Sequence, residues 1–287
     1  MANIVIIGSG PAGVSASLYT QRAGIETTIL SNGGGALSKT EKIENYYGFA
    51  QPISGPELEQ AGLAGAKRLG VTVLEEEVVG ITFEEKLTVL TTANKYPADG
   101  IILATGSSRK APKIKGLTEL EHKGVSYCAV CDAFFHRGKD VAVLGNGEYA
   151  LHEALELLPV VHSVTLFTDG QALQAEIPDS IKVNTQRIDE IVGTEAVEAV
   201  RTTDGEIFPV NGVFIAYGIA GSTDLAKKIG ALTEGSRIIV DENMATNIPG
   251  LYAAGDCTGG LLQISKAVYE GAKAATELIK FIRKQQS

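Results

Sequence analysis

Short, uniformly apolar runs that stop at glycine set the pattern of this chain. Asn3-Ile4-Val5-Ile6-Ile7, Ile101-Ile102-Leu103-Ala104, Asp140-Val141-Ala142-Val143-Leu144 and Leu251-Tyr252-Ala253-Ala254 are too short for helices and apolar on both faces. That combination predicts strands buried in a parallel sheet. A helical pattern follows the first run through Ala23 and the third from Glu148 to Leu158. Gly55 to Leu69 also reads as a helix, with Pro56 in its first turn and Leu58, Ala61, Leu63 and Ala66 at helical spacing. Val71–Leu74 and Val78–Leu90 alternate like antiparallel strands with acidic outer residues, and Val197–Arg201 and Val210–Tyr217 read as further strands. A strand–glycine–helix unit that occurs twice predicts an α/β fold of two Rossmann-like, three-layer ββα domains, the second inserted into the first. The first domain is expected over 1–112 and 238–287 and the second over 113–237. Linkers are expected at Ala111–Gly116 and Gly235–Val240.

Composition mostly excludes. A chain of 287 residues suits about two domains with real cores. The net charge of −9, with scattered basic residues, argues against a nucleic-acid partner. No apolar run approaches the ~18 residues of a membrane span. The first residues lack a secretory signal, and three cysteines do not make a disulfide scaffold, so a reducing cytoplasm is expected. His122, His136, His152 and His162 stand beside no cysteine or serine in a nucleophile motif, so surface or packing roles are expected for them.

Candidate chemistry sits at the glycine stops and at one cysteine pair. Gly8-Ser9-Gly10-Pro11-Ala12-Gly13, with a strand before it and a helix after it, is a nucleotide fingerprint. Its glycines permit the turn, the approach of a pyrophosphate and close helix–strand contact. An acid at the end of the next strand is missing, since Thr28-Ile29-Leu30 leads into Ser31-Asn32. Ala104-Thr105-Gly106 and Gly255-Asp256 close two further strands, and Asp256 offers a carboxylate for a sugar-like hydroxyl. Cys128-Ala129-Val130-Cys131-Asp132 places two thiols where they can close a small disulfide ring. One sulfur can attack a partner disulfide while the other resolves the mixed intermediate. A structural zinc site needs four ligands, and only Cys257 remains, beside Asp256, where a packing role is expected. A cysteine near a helix start is expected to have its thiolate favoured.

GSGPAG, the segment Thr40-Glu41-Lys42-Ile43-Glu44-Asn45, ATG, CxxCD and AAGD follow one another in an order that resembles the low-molecular-weight thioredoxin reductases, a family of FAD-dependent disulfide reductases. The resemblance spans nearly the whole chain. It implies FAD, with the pyrophosphate on Gly8, Gly10, Pro11, Ala12 and Gly13, and the flavin lined by Gly35, Ala36, Leu37, Thr40 and Asn45. Val78, Ala104, Thr105, Gly106 and Gly255 join the implied cofactor site, and Asp256 falls on the carboxylate that binds the ribityl chain. Gln263 and Ile264 begin the last helix, facing the flavin, with Leu262 where the family often has arginine. The resemblance also implies that Cys131 faces the flavin, that Cys128 attacks thioredoxin and that Asp132 relays a proton. A homodimer and rotation between the domains are implied as well.

The second glycine turn, Gly145-Asn146-Gly147, departs from the family at the next two positions. Glu148 puts a carboxylate where a phosphate would approach the helix dipole, and Tyr149 adds bulk. After the following strand no base occurs until Lys182, so NADPH is not expected. Asp169, at the offset of a ribose-binding acid, keeps NADH open as an alternative donor; its other reading is a turn residue before Gly170. A chain with the dithiol but no nucleotide groove resembles the ferredoxin-dependent flavin thioredoxin reductases. Docking an acidic ferredoxin calls for a basic patch, and Lys266, Lys273 and Lys280, with Arg283 and Lys284 beyond, recur along one helical face. A non-catalytic flavoprotein or redox sensor is the reading from a different class.

Overall fold

In the computed structural model the described residues are 2–33, 35–106, 112–121, 123–127, 129–218 and 220–286, with the side chains of Lys39, Val130 and Cys131 outside the description. The chain opens with β1 (Asn3–Ile7), α1 (Pro11–Arg22) and β2 (Glu26–Ser31), then α2 (Gly55–Arg68) and β3 (Thr72–Glu75). A meander of β4 (Val78–Phe83), β5 (Leu87–Thr91) and β6 (Lys95–Ala98) precedes β7 (Gly100–Leu103). The inserted unit holds β8 (Val125–Ser126), the short α3 (Ala129–Asp132), β9 (Asp140–Leu144), α4 (Glu148–Leu157), β10 (Ser163–Phe167) and β11 (Lys182–Asn184). A second meander, β12 (Ile188–Gly193), β13 (Val197–Thr202) and β14 (Ile207–Pro209), leads to β15 (Gly212–Ile215). The chain then returns through α5 (Ser222–Lys228), the paired β16 (Thr233–Glu234) and β17 (Arg237–Ile238), β18 (Leu251–Ala253) and α6 (Ile264–Gln286).

Each unit is built on a five-stranded parallel sheet, ordered β18-β7-β1-β2-β3 in the first and β11-β10-β9-β15-β8 in the second. The apolar runs become the central strands, because only residues without polar side chains can be covered on both faces. Ile6, Ile29, Ile101, Ile102 and Leu103 are wholly buried, each contributing about 1.5–3 kcal/mol relative to exposure. In the second unit Val143, Leu144, Leu166 and Phe167 do the same. β3 differs from expectation: it pairs parallel to β2, with Thr28 opposite Thr72. The crossover through α2 accounts for this, since a helical connection returns the chain in the same direction. Only β4, β5 and β6 form an antiparallel sheet there.

The compact units are 1–109 with 221–287, and 110–220. The return therefore comes at Gly221, ahead of the expected boundary at 238, because α5 is bonded into the first unit. Thr105 Oγ1 and Ser222 Oγ lie 2.6 Å apart, Thr223 Oγ1 donates to Ser236 O at 3.1 Å, and Lys228 Nζ donates to Val79 O at 2.7 Å. Gly235–Val240 is no linker, since it contains β17.

In the first unit α1 and α6 lie side by side beneath the sheet, and Ser15 Oγ reaches Val268 O at 2.7 Å. Gly271 makes that approach possible, as a Cβ there would overlap the Ala12 carbonyl. Gly65, inside α2, faces open space. Replacing Gly271 by alanine is expected to cost about 1–3 kcal/mol by overpacking. Gly65→Ala is expected to stabilise by about 0.5–1 kcal/mol through helix propensity. Urea unfolding of the two variants should move the midpoint in opposite directions; a neutral Gly271→Ala would show that the helices have room to separate.

Candidate active site

The first glycine turn is a place where backbone meets backbone. Gly8, at φ +114°, ends β1, and a Cβ on it would overlap the Ala104 carbonyl at the end of β7. A Cβ on Gly13 would overlap the Gly8 carbonyl, whereas one on Gly10 would meet nothing. The first two contacts explain the turn. The open space at Gly10 is what a ligand's phosphates require. Gly10 caps α1 with no side-chain hydrogen bond, Pro11 follows, and the first turn contains no acid. The helix thus presents amides that no side chain satisfies, with the positive end of its dipole behind them.

Other expected cofactor residues gather around this turn. Gly35 caps a short 3-10 turn, Ala36–Lys39, which carries Leu37; Thr40 follows it and accepts the Gly55 N–H at 2.8 Å. Asn45 Nδ2 donates to Gln263 Oε1 at 2.8 Å, joining two loops far apart in sequence, and Ile264 starts α6. A cleft lined by Gly10, Pro11, Leu37, Tyr46 and Ile264 runs along the face of α1. Val78 is buried at the start of β4 and pairs with Thr91. The Thr105 hydroxyl is committed to Ser222, whose N–H it accepts at 2.8 Å. Gly106, at φ +77°, ends the described part of that loop.

Two features escaped the sequence. An acid does stand beside the end of β2, because Glu77, just before β4, accepts from Asn32 Nδ2 at 3.0 Å, while Ser31 bonds Ser9 of the glycine turn at 2.8 Å. The Glu75-Glu76-Glu77 run was its only trace in the sequence. The second is a buried ion pair under Asp256. Lys266 Nζ lies 3.0 Å from Glu270 Oε2 and donates to Gly255 O, Thr258 Oγ1 and Gly259 O at 2.8, 2.9 and 2.5 Å. Glu270 in turn accepts from Gly255 N and Thr258 Oγ1 at 2.8 and 2.9 Å. Lys266 is therefore an internal strut of the Gly255–Gly259 loop, with 15% of its side chain exposed, and does not belong to an exposed basic stripe. Lys280 is paired with Glu277 at 2.8 Å, and Lys273 is half-buried.

The Asp256 carbonyl accepts the Gly259 N–H at 3.0 Å, while its carboxylate accepts no hydrogen bond from the described residues. Burial holds its carboxyl above the usual carboxylate range, against the pull of the Lys266 ammonium. A half-buried acceptor without a partner fits a hydroxyl-bearing ligand. Cys257, fully buried, donates to Leu103 O and Ala254 O, and burial pushes its thiol up to about 11.

In the second unit the equivalent glycine turn is covered by its own chain. Asn146 is buried, its Nδ2 donating to Ala172 O at 2.8 Å and its carbonyl accepting the Gln174 N–H at 2.7 Å. Glu148 stands in the first turn of α4, and Tyr149 is packed inside. Asp169 takes φ +53°; its Oδ1 accepts the Ile188 N–H at 2.8 Å and its Oδ2 the Tyr217 hydroxyl at 3.3 Å. Asp169 is thus a structural turn acid, bonded on both oxygens rather than open to solvent.

Cys128 and the side chain of Cys131 lie outside the described residues, but the backbone of Ala129–Asp132 forms α3. Asp132 Oδ2 accepts from Ser126 Oγ at 2.6 Å, which fixes the proposed relay acid to β8. The N–H of Ala129, the first amide of α3, donates to Glu153 Oε2 at 2.7 Å. The helix start expected to favour a thiolate is therefore already taken by a carboxylate.

A disulfide oxidoreductase with two dinucleotide-type domains is the class these features define. The model of the pyridine nucleotide-disulphide oxidoreductase family matches residues 2–271. Thioredoxin reductase of Listeria innocua serovar 6a is 35% identical over 98% of this chain and 93% of its own length. The chain therefore belongs to that family, among its thioredoxin reductases, which are FAD flavoproteins. Among solved structures, the atypical thioredoxin reductase TRi of Desulfovibrio vulgaris Hildenborough superposes with a TM-score of 0.94 at 40% identity, covering 99% of both chains. A ferredoxin-flavin thioredoxin reductase of Clostridium acetobutylicum gives 0.73 at 30% identity, covering 99% of this chain and 98% of the other.

Asp256→Asn tests the cofactor acid in two ways. Its raised native pKa means that the stability it contributes is complete below the unfolded value of about 3.9 and is lost as pH rises through the folded one. Flavin-free Asp256→Asn should therefore melt above the parent at neutral pH, with the gap closing towards pH ~4. FAD affinity should fall about tenfold or more as a charged acceptor is lost. A melting difference that does not change with pH would contradict the burial effect.

Proposed function

We propose that this chain reduces thioredoxin through a Cys128/Cys131 dithiol and receives its electrons from ferredoxin rather than from a pyridine nucleotide. One observation carries the donor half of this reading: the glycine turn of the second unit is bonded to Ala172 and Gln174 of its own chain. These bonds, made by the side chain and the carbonyl of Asn146, lay that segment against the turn, and a dinucleotide would have to bring its phosphates past it to a helix start that carries Glu148. Asp169, the one acid at the ribose offset, is already spent on Ile188 and Tyr217. That weighs against the NADH alternative. The likeness to a structure described as a ferredoxin-flavin thioredoxin reductase supports the same donor.

FAD, when bound, supplies the junction between one-electron and two-electron transfer. Gly8, Gly10, Pro11, Ala12 and Gly13 would hold its pyrophosphate, Asp256 its ribityl hydroxyls, and the Asn45–Gln263 pair the edge of its ring. The Cys128 thiolate attacks one sulfur of the thioredoxin disulfide, and the displaced sulfur leaves as a thiolate that takes up a proton. Cys131 then attacks Cys128 in the mixed disulfide, closing the Cys128–Cys131 bond and releasing the second thioredoxin thiol. Asp132, held by Ser126, relays the protons. We place the enzyme in the cytoplasm as a homodimer. The face of α6 assigned to ferredoxin in this reading carries Lys273 and Lys280, with Arg283 and Lys284 beyond, and excludes Lys266.

Anaerobic mixing with reduced ferredoxin, NADH or NADPH distinguishes the donors. Ferredoxin should bleach the flavin absorbance within turnover time and the nucleotides should not; rapid bleaching by NADH would overturn the donor assignment. Cys131→Ser should keep its flavin while losing at least 10³-fold in thioredoxin reduction, the scale of removing a covalent catalyst.

A further inference from the structure

α6 buries an apolar face that includes Ala267, Gly271, Ala274, Leu278 and Ile282. Two charged residues interrupt that pattern in its first turns, Lys266 and Glu270, one helical turn apart and both turned inward. What they meet is the turn after β18. Gly255 at φ +88° and Gly259 at φ +79° reverse the backbone there, so its peptide groups need partners outside a strand ladder. Lys266 Nζ supplies them from the helix, donating to Gly255 O, Gly259 O and Thr258 Oγ1, while Glu270 accepts the Gly255 N–H. Three donated bonds use three hydrogens, so this nitrogen is an ammonium. Asp256 is enclosed between the two bonded glycines.

We propose that Lys266 is the positioning residue of the cofactor acid: its ammonium ties both ends of the Gly255–Gly259 turn to α6 and so holds the Asp256 carboxylate ready for the ribityl hydroxyls of FAD. The inference rests on the assignment of Asp256 to the ribityl chain, and on nothing about the electron donor. A side chain fixed before its ligand arrives loses little further freedom on binding. Charge acts in the same sense as geometry. Burial raises the Asp256 carboxyl above its usual range, the Lys266 ammonium draws it down, and Glu270 opposes that pull. The other titratable groups against this turn are Cys257 within it and Arg237 on β17, which is paired with Glu234. Hydroxyls donate more strongly to an ionised acceptor. FAD affinity should therefore fall as pH drops through the Asp256 titration, and Lys266 sets how low that point lies.

The test is FAD binding to the flavin-free full chain, followed against pH by the quenching of flavin fluorescence. Lys266→Met keeps the length of the side chain without its donors or its charge. It should weaken FAD about tenfold at neutral pH and move the acid-side fall in affinity upward by on the order of one pH unit. In an Asp256→Asn background the same change should leave the profile flat and weaken FAD by much less, since residues that act on one another are not additive. Equal losses in both backgrounds, or an unmoved profile, would make Lys266 a support of the fold alone and overturn the proposal. If Lys266→Met does not fold, Lys266→Gln, which keeps two donors without the charge, carries the same expected shift. Failure of both to fold while Asp256→Asn folds also overturns it. A flat profile in the parent chain, or undiminished FAD affinity in Asp256→Asn, would strike the Asp256 assignment itself and the proposal with it, so the two failures are told apart.

Discussion

Backbone packed on backbone at the end of β1 is the constraint from which the first unit follows. Gly8 lies against Ala104 and Gly13 against Gly8, so strand, turn and helix meet with no side chain between them. This closeness aims the start of α1 at the carboxyl ends of β1 and β7, where open parallel sheets bind ligands. The uncapped amides of α1 are costly in a ligand-free fold and favourable once an anion settles on them. The neighbouring groups match a long, partly sugar-like cofactor: amides for phosphate, the Asp256 carboxylate for hydroxyls, and the Asn45–Gln263 bridge beside the start of α6.

The second unit repeats the architecture with different surroundings at its glycine turn. Its glycine turn again links a buried strand to a helix, but the segment after β10 hydrogen-bonds to the peptide and side chain of Asn146. The segment after β10 thus lies against the turn, held by the carbonyl and the side chain of Asn146. The same unit holds α3. Hydrogen bonds to carboxyl groups do this holding. Glu153 fixes the first amide of α3, and Ser126 fixes Asp132 at the other end. In the first unit Lys266 and Glu270 brace the loop carrying Asp256 in the same manner. Such pairs add little net stability when buried, but deleting one member leaves a charge unmatched. They define geometry more than they stabilise it.

Much was legible in the chain alone. The apolar runs marked the central strands because full burial on both faces tolerates no polar residue. The glycine spacings marked both turns because only glycine fits where backbones touch. CxxCD was read as a dithiol because two thiols can exchange only at short range; of that motif the structure describes the backbone of Ala129–Asp132 and the Asp132 side chain. Glu148 and Tyr149 were read as a departure from a nucleotide turn, and the structure places the first in the opening turn of α4 and the second in the interior. All of these are local rules, readable within a few residues.

What only the tertiary structure decided are relations between distant positions. The return of the chain at Gly221 depends on Ser222 meeting Thr105, and the inward turn of Lys266 depends on Thr258 and Glu270 meeting it. Periodicity placed Lys266 on a helix face but cannot say what covers that face. Asp169 could be read as a ribose acid or as a turn residue until its bonds to Ile188 and Tyr217 supported the second reading, and Glu77 stands beside the end of β2, where the strand-end rule found no acid. Sequence spacing determines which chemistry a segment can carry; folding decides which partners remain to use it, because a side chain's hydrogen bonds are allotted in space.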